Sequence, residues 1–232
     1  MHALKAIGIV ACSSEGAALC YRTLCLEAAE RMGAHAHPEV VMHGHSLHRY
    51  LAALDAGDWP EVAALMLDSA RKLAKAGAGF LICPDNTLHQ ALPWVQPKSP
   101  LPWISIADAV TKAAHQRGLK RVGLLGTRWL VESEVYPQAM AVRGIHCVRP
   151  PEADREAVSR HILDDMVSGR FTDEALACCQ AVIQRLKDEQ RCDAVVLGCT
   201  ELPLVLNEGN SPLPTLDSTR LLARAALTRA LE

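Results

Sequence analysis

The stretch Ala78-Gly79-Phe80-Leu81-Ile82-Cys83-Pro84-Asp85-Asn86-Thr87-Leu88 decides the reading of this chain. Gly79 to Cys83 is an unbroken apolar run that stops at a proline and a small polar cluster. Such a run fits a strand buried on both faces of a parallel sheet. Just before it, Pro60 to Ala76 has helical spacing, with Val62, Leu65, Met66, Ser69, Leu73 and Ala76 near one face and Gly77 as the stop.

The same alternation extends in both directions. Strands are expected at Ala6 to Val10, His37 to Met42, Trp103 to Ile106, Arg121 to Leu125, Ile145 to Val148, Ala194 to Leu197 and Thr215-Leu216. Helices are expected at Gly16 to Met32, Asp108 to Arg117, Leu130 to Val142, Pro151 to Val167, Thr172 to Glu189 and Ser218 to Leu231. Strand–helix alternation throughout implies an α/β fold with parallel sheets. The stretch from Leu92 to Pro102 holds four prolines and breaks any helix or central strand, and Asn207 to Pro214 resembles it. Two lobes are therefore expected, one from residues 1–103 with 214–232 and one from residues 104–213.

The lobes also echo each other. Laying residues 78–88 over Cys192-Asp193-Ala194-Val195-Val196-Leu197-Gly198-Cys199-Thr200-Glu201-Leu202 matches two buried strands, each ending in an ionisable residue and a threonine. Ligands of open α/β sheets bind beyond the carboxyl ends of strands. That places Asp85 and Cys199 on opposite sides of one expected cleft.

Composition narrows the classes. Half of the 232 residues are hydrophobic and 22% are charged, which calls for a buried core rather than disorder. Lys+Arg 24 against Asp+Glu 26 leaves a net charge of −2, so no nucleic-acid or anionic-membrane partner is expected. Without a long apolar run or a secretory leader, the expectation is a soluble, cytoplasmic chain. The nine cysteines are scattered without a C-x-x-C pair, as reduced core residues would be. No G-x-G-x-x-G follows the first strand, and the seven lysines fall on polar faces, strand starts or the proline-rich stretch. A dinucleotide and a pyridoxal Schiff base are both disfavoured. His35, His37, His43, His45 and His48 lack a recognised ligand spacing and read as solvated or hydrogen-bonding, so no metal is expected.

Leu197-Gly198-Cys199-Thr200-Glu201-Leu202-Pro203 is the most specific chemical signal. A cysteine at a strand-to-helix turn gains thiolate character from backbone N–H groups and the helix dipole. Pro84-Asp85-Asn86-Thr87-Leu88-His89 offers a carboxylate and hydrogen-bonding side chains in the same kind of turn. Taken singly, each residue also has a plain structural reading: Cys199 as a buried thiol, Asp85 as a helix cap.

Together the two segments resemble the active-site motifs of the aspartate/glutamate racemase family, P-C-N-T-x-H and G-C-T-E. Met42-His43, Gly57-Asp58-Trp59, Leu124-Leu125-Gly126-Thr127-Arg128-Trp129 and Gly169-Arg170-Phe171-Thr172 are similar to family positions as well. The resemblance implies two pseudo-symmetric α/β lobes with the site between them, and racemisation of an amino acid without a cofactor. One base removes the Cα proton from one face, and an acid on the other face returns a proton. By position, Cys199 and Asp85 take the catalytic roles. Asn86, Thr87, Thr127 and Thr200, with Ser13 and Ser14 after the first strand, hold a carboxylate or amino-acid substrate. A homodimer is implied as an assembly common among similar proteins.

The departures shape the alternatives. Asp85 stands where the family has its first cysteine, and Cys83 lies inside the apolar strand as core. An unperturbed Asp, with a pKa of about 3.9 against about 8.5 for Cys, is the poorer base by about 6 kcal/mol. Val10-Ala11-Cys12-Ser13-Ser14 replaces a glycine-rich turn, where Ser13 and Ser14 either donate to a carboxylate or cap a helix. No lysine lies near Met166 to Gly169, where the branch gripping an acidic side chain has one. The alternatives are a one-cysteine decarboxylase or cis–trans isomerase on this scaffold, and a non-catalytic binding protein.

Overall fold

The computed structural model describes residues 4–232, so residues 1–3 of the expected first lobe lie outside it. Two compact units emerge, one running to Ile106 and including Thr219–Glu232, the other Ala107–Ser218. Each is built on a four-stranded parallel sheet flanked by helices.

In the first unit the strands are β1 (Ile7–Ala11), β2 (Val40–Gly44), β3 (Phe80–Ile82) and β4 (Trp103–Ile104), in the order β2-β1-β3-β4. The second unit has β5 (Arg121–Leu125), β6 (His146–Val148), β7 (Ala194–Leu197) and β8 (Thr215–Asp217), in the order β6-β5-β7-β8. The two orders are the same when counted along the chain. β1 and β3 pair in a register that sets Ile9 beside Ile82, and β5 and β7 set Leu124 beside Val196. Asp85 and Cys199 each lie three residues beyond these matched positions, so the echo in the sequence corresponds to equivalent places in the two sheets.

The first unit carries α1 (Ser14–Met32), α2 (Leu47–Asp55), α3 (Trp59–Lys75) and α4 (Leu92–Val95). Asp58 caps α3 by accepting from Glu61 N–H at 3.0 Å, with Pro60 in the first turn, and Gly77 takes φ 95° just past its end. The second unit carries α5 (Ile106–Gln116, beginning at the junction), α6 (Arg128–Val131), α7 (Val135–Ala141), α8 (Glu152–Asp164) and α9 (Asp173–Asp188). Thr172 caps α9 through Ala175 N–H, and Arg185 on α9 pairs with Asp154 on α8.

α10 (Ser218–Leu231) follows β8 but packs into the first unit. Leu222, Ala223, Ala226 and Leu227 fill a core with Ile7, Ile9, Leu24, Phe80 and Ile106. Arg224 fastens α10 to α1 by a two-pronged pair with Glu27, at 2.7 and 2.9 Å. The second core joins Leu125, Val195 and Leu197 from the sheet to Ile162, Val182, Ile183 and Leu186 from α8 and α9.

Several expectations shift. The second strand begins at Val40 instead of His37, because Pro38 has no N–H and the ladder starts where Ile7 N–H donates to Glu39 C=O. The helix expected over Leu130 to Val142 is two, α6 and α7. Ser133 separates them: its hydroxyl donates to Leu130 C=O and accepts from Val135 N–H. The proline-rich stretch does hold helical turns, α4 and Gln96–Lys98, because Pro93 and Pro97 occupy first-turn positions where no N–H is needed. That stretch joins β3 to β4 inside the first unit. The units divide at 106/107 and 218/219, with β4 paired to β3 and β8 to β7. Met166 and Val167, expected as the end of a longer helix, form a separate 3-10 turn with Ser168.

Leu222 is wholly buried in a core that α10 reaches only by returning across the chain. Leu222→Ala is expected to cost about 2–5 kcal/mol, read from the denaturant midpoint at unchanged slope. A loss below about 0.5 kcal/mol would show that α10 does not complete this core.

Candidate active site

Parallel pairing brings three strand ends of the first unit side by side. β2 ends in His43-Gly44, β1 runs into Cys12-Ser13, and β3 runs into Cys83-Pro84-Asp85. Ser13 is buried and caps α1, its Oγ accepting from Gly16 N–H at 3.1 Å, while Ser14 is exposed in the first turn. Asp85 is partly buried, and its Oδ1 accepts from Leu88 N–H at 3.0 Å. This bond holds the carboxylate on the 3-10 turn Thr87–Ala91. Asn86 and Thr87 are buried beside it.

His89 secures this turn. Its Nδ1 accepts from Ile106 N–H at 3.4 Å, which leaves the proton on Nε2 to donate to Cys83 C=O at 3.1 Å. Burial lowers its pKa from 6.5 to about 4, against the opposing pull of the Cys83 carbonyl. The ring is therefore neutral and structural at neutral pH. Cys83 is sealed in the core, and burial, followed by the charge of Asp85, pushes its thiol well above the usual range. No motif in the sequence marks Tyr50 on α2. It is wholly buried, and its phenol is raised by burial first and then by Cys83, Cys12 and Asp85. The tyrosine thus lies in the same neighbourhood as Asp85.

In the second unit, β5 ends at Leu125 and leads through Gly126 to Thr127, which caps α6 with its backbone carbonyl. β7 ends at Leu197, and Gly198 N–H donates to Leu125 C=O at 2.7 Å. A Cβ on Gly198 would stand 2.6 Å from that same oxygen and 2.7 Å from Leu130 Cδ2. Only glycine permits this approach, at the residue just before Cys199. Ser218 Oγ donates to Leu197 C=O at 2.7 Å and closes the other side.

Cys199 is partly buried, with Thr200 and Glu201 fully buried behind it. The chain then makes a 3-10 turn of only three residues, Leu202–Leu204, so the helix dipole expected to activate the thiol is not there. A carboxylate stands in its place. Cys199 Sγ–H donates to Glu201 Oε2 at 2.9 Å, and Thr200 Oγ1–H donates to the same oxygen at 3.2 Å. Glu201 Oε1 is buried and has no hydrogen-bond partner among the described residues. The thiol proton thus has an acceptor in place. Glu201 is visible in the motif, yet spacing alone does not reveal a carboxylate folded back onto its own cysteine.

A separate cavity of about 600 Å³ lies between α6 and α8, lined by Arg128, Trp129, Glu156, Arg160 and Asp164 among others. Its charges are mixed and select no single ligand class.

Comparison with known proteins matches residues 9–226 to the Asp/Glu/Hydantoin racemase family. The chain is 26% identical over 176 residues to the broad specificity amino-acid racemase RacX of Bacillus subtilis, covering 75% of this chain and 74% of that protein. In structure it is similar to a proposed Asp/Glu racemase from Yersinia pestis, with TM-score 0.88, 28% identity and 99% and 100% of the two chains covered. It is also similar to an aspartate racemase homologue from Pyrococcus horikoshii OT3, with TM-score 0.83, 25% identity and the same coverage.

A histidine that stays neutral when folded makes stability depend on pH. The unfolded chain takes up the proton near 6.5 and the native chain only near 4. This contribution is complete above pH 6.5 and is lost as pH falls towards 4, by up to about 3 kcal/mol. His89→Gln is expected to flatten denaturation midpoints measured across that window. An unchanged slope would show that His89 is not the group responsible.

Proposed function

We propose that this chain, which belongs to the Asp/Glu/hydantoin racemase family, is a cofactor-independent amino-acid racemase working through Cys199 and Asp85. The observation that carries the reading is the thiol of Cys199 hydrogen-bonded to the buried carboxylate of Glu201 at 2.9 Å. In one direction the Cys199 thiolate takes the Cα proton, and the electron pair delocalises into the substrate carboxylate. The carboxylic acid of Asp85 then returns a proton to the opposite face. The reverse direction starts from the Asp85 carboxylate and the Cys199 thiol. Asn86, Thr87, Thr127 and Thr200, with Ser13 and Ser14, are assigned to the substrate, and fixed donors aimed at developing charge contribute about 3–4 kcal/mol each.

Glu201 is a positioning residue in this scheme: it accepts the hydrogen bond of the Cys199 thiol and orients Sγ. The substitution of Asp85 for the family's cysteine makes the two bases unequal. Because a racemisation has an equilibrium constant of one, the inequality surfaces as different kcat values for the two enantiomers, with compensating KM values. A second reading rests on the bond from Leu88 N–H to Asp85 Oδ1. If Asp85 serves only to cap that turn, Cys199 acts alone, as in decarboxylation or cis–trans isomerisation with protonation from one face.

Chiral chromatography of single enantiomers of the common amino acids tests the proposal. Wild-type protein is expected to convert at least one amino acid in both directions. Cys199→Ser should lower kcat/KM by at least about 10²-fold, the scale of a lost acid or base. Glu201→Gln should lower it less and displace the pH–rate profile, which a purely structural role would not do. Asp85→Cys should raise the rate in the slower direction. No turnover of any amino acid, or full activity in Cys199→Ser, would overturn the proposal. A single-enantiomer product from a dicarboxylate would favour the second reading.

A further inference from the structure

Five histidines crowd residues 35–48 and read from the sequence as solvated or hydrogen-bonding groups. The fold treats them unequally. His35, His37 and His48 are exposed, whereas His43 on β2 and His45 just beyond it turn towards Asp68 on α3. One ring nitrogen from each histidine and one Asp68 oxygen lie within 4.8 Å of one another. We propose that His43, His45 and Asp68 form a binding site for a divalent transition-metal ion of the zinc class.

Three features support this beyond proximity. His43 Nδ1 is 3.0 Å from the hydroxyl of Ser69, which is fully buried. A second partner on one ring nitrogen is how metal-ligating histidines are oriented, and it leaves Nε2 for the ion. Next, His45 Nε2 lies 2.8 Å from Asp68 Oδ2, yet among the described residues no acceptor meets it in hydrogen-bond geometry. The two atoms are close without being aligned as donor and acceptor. That spacing suits neighbouring ligands on one ion with bonds of about 2.0–2.2 Å. The rings of His43 and His45 meet edge to face, with centroids 5.0 Å apart, so neither stacks over the other's nitrogens.

The donor set selects the ion. Two imidazoles and one carboxylate match zinc, cobalt and nickel, and are too few oxygens for calcium or magnesium. Burial, then Lys72 and His45, lowers the pKa of His43 against the pull of Asp68, and Lys72 holds the Asp68 carboxyl below its usual range. The remaining neighbour is Arg49, whose guanidinium is 3.4 Å from His45 Nδ1 and paired with Glu61 at 3.1 Å.

The site also contains its own competitor. Lys72 Nζ lies 2.6 Å from the same Asp68 Oδ2, on a half-exposed side chain free to swing outward. An incoming cation takes the place of that ammonium. Removing Lys72 should therefore tighten metal binding, although a surface lysine substitution would leave adventitious binding unchanged.

The test is titration of chelator-treated full-length protein with Zn²⁺ by calorimetry and with Co²⁺ by visible absorption. One saturable equivalent is expected, with d–d bands appearing in step. His45→Ala and Asp68→Asn should each weaken binding at least about tenfold. Lys72→Gln should tighten it, and His48→Ala should leave it unchanged. Absence of a saturable equivalent would overturn the proposal, as would uptake that persists in a folded His43→Ala/His45→Ala variant. Should the alanine variants fail to fold, Lys72→Gln carries the test: affinity unchanged or weakened by that substitution also overturns it. None of these outcomes bears on Cys199 or Asp85.

Discussion

Parallel pairing is the constraint on which this molecule rests. When every strand of a sheet runs the same way, all carboxyl ends arrive at one edge, and so does any chemistry that follows them. In the first unit that edge collects His43, Ser13 and Asp85, and in the second it collects Thr127 and Cys199. The tightest expression of this rule is Gly198, whose N–H reaches Leu125 C=O at 2.7 Å with no room for a side chain. The cysteine's position is thus fixed by backbone geometry one residue upstream.

The same arrangement, carried by both units, sets two different ionisable side chains, a carboxylate and a thiol, at corresponding strand ends. The units share a strand order, and Asp85 and Cys199 occupy matched places in it. What differs is the local support. Asp85 is steadied by a backbone N–H from its own turn, Cys199 by a buried carboxylate two residues on. A carboxylate next to a thiol accepts its hydrogen bond and fixes where Sγ points, and a carboxylate tied to a backbone amide is held in place. The two units therefore differ at these places in their side chains, with the backbone plan left intact.

Much of the plan is legible in the sequence. Arg121 to Leu125, Ala194 to Leu197 and Ser218 to Leu231 fall on their elements as read, because continuous apolar runs and helical spacing leave little choice. Reading fails where a single side chain overrides the pattern. Ser133 splits a helix by exchanging bonds with Leu130 and Val135, and Pro38 delays a strand. Prolines expected to forbid helix sit in first turns. At the candidate site, the turn residues are legible as a motif. The partnership of Cys199 with Glu201, the burial of Tyr50 and the convergence of His43 and His45 on Asp68 are not. All three depend on side chains folding back or meeting across long sequence separation, which no spacing rule records.

A thiol poised on Glu201 should exchange a carbon-bound proton, and proton NMR of a single amino-acid enantiomer in D₂O reads that step without requiring net conversion. The Cα–H signal of at least one amino acid is expected to fade in the presence of the protein and to persist with Cys199→Ser. A signal that persists with the intact protein for every amino acid, or fades equally with the serine variant, would contradict the proposed chemistry.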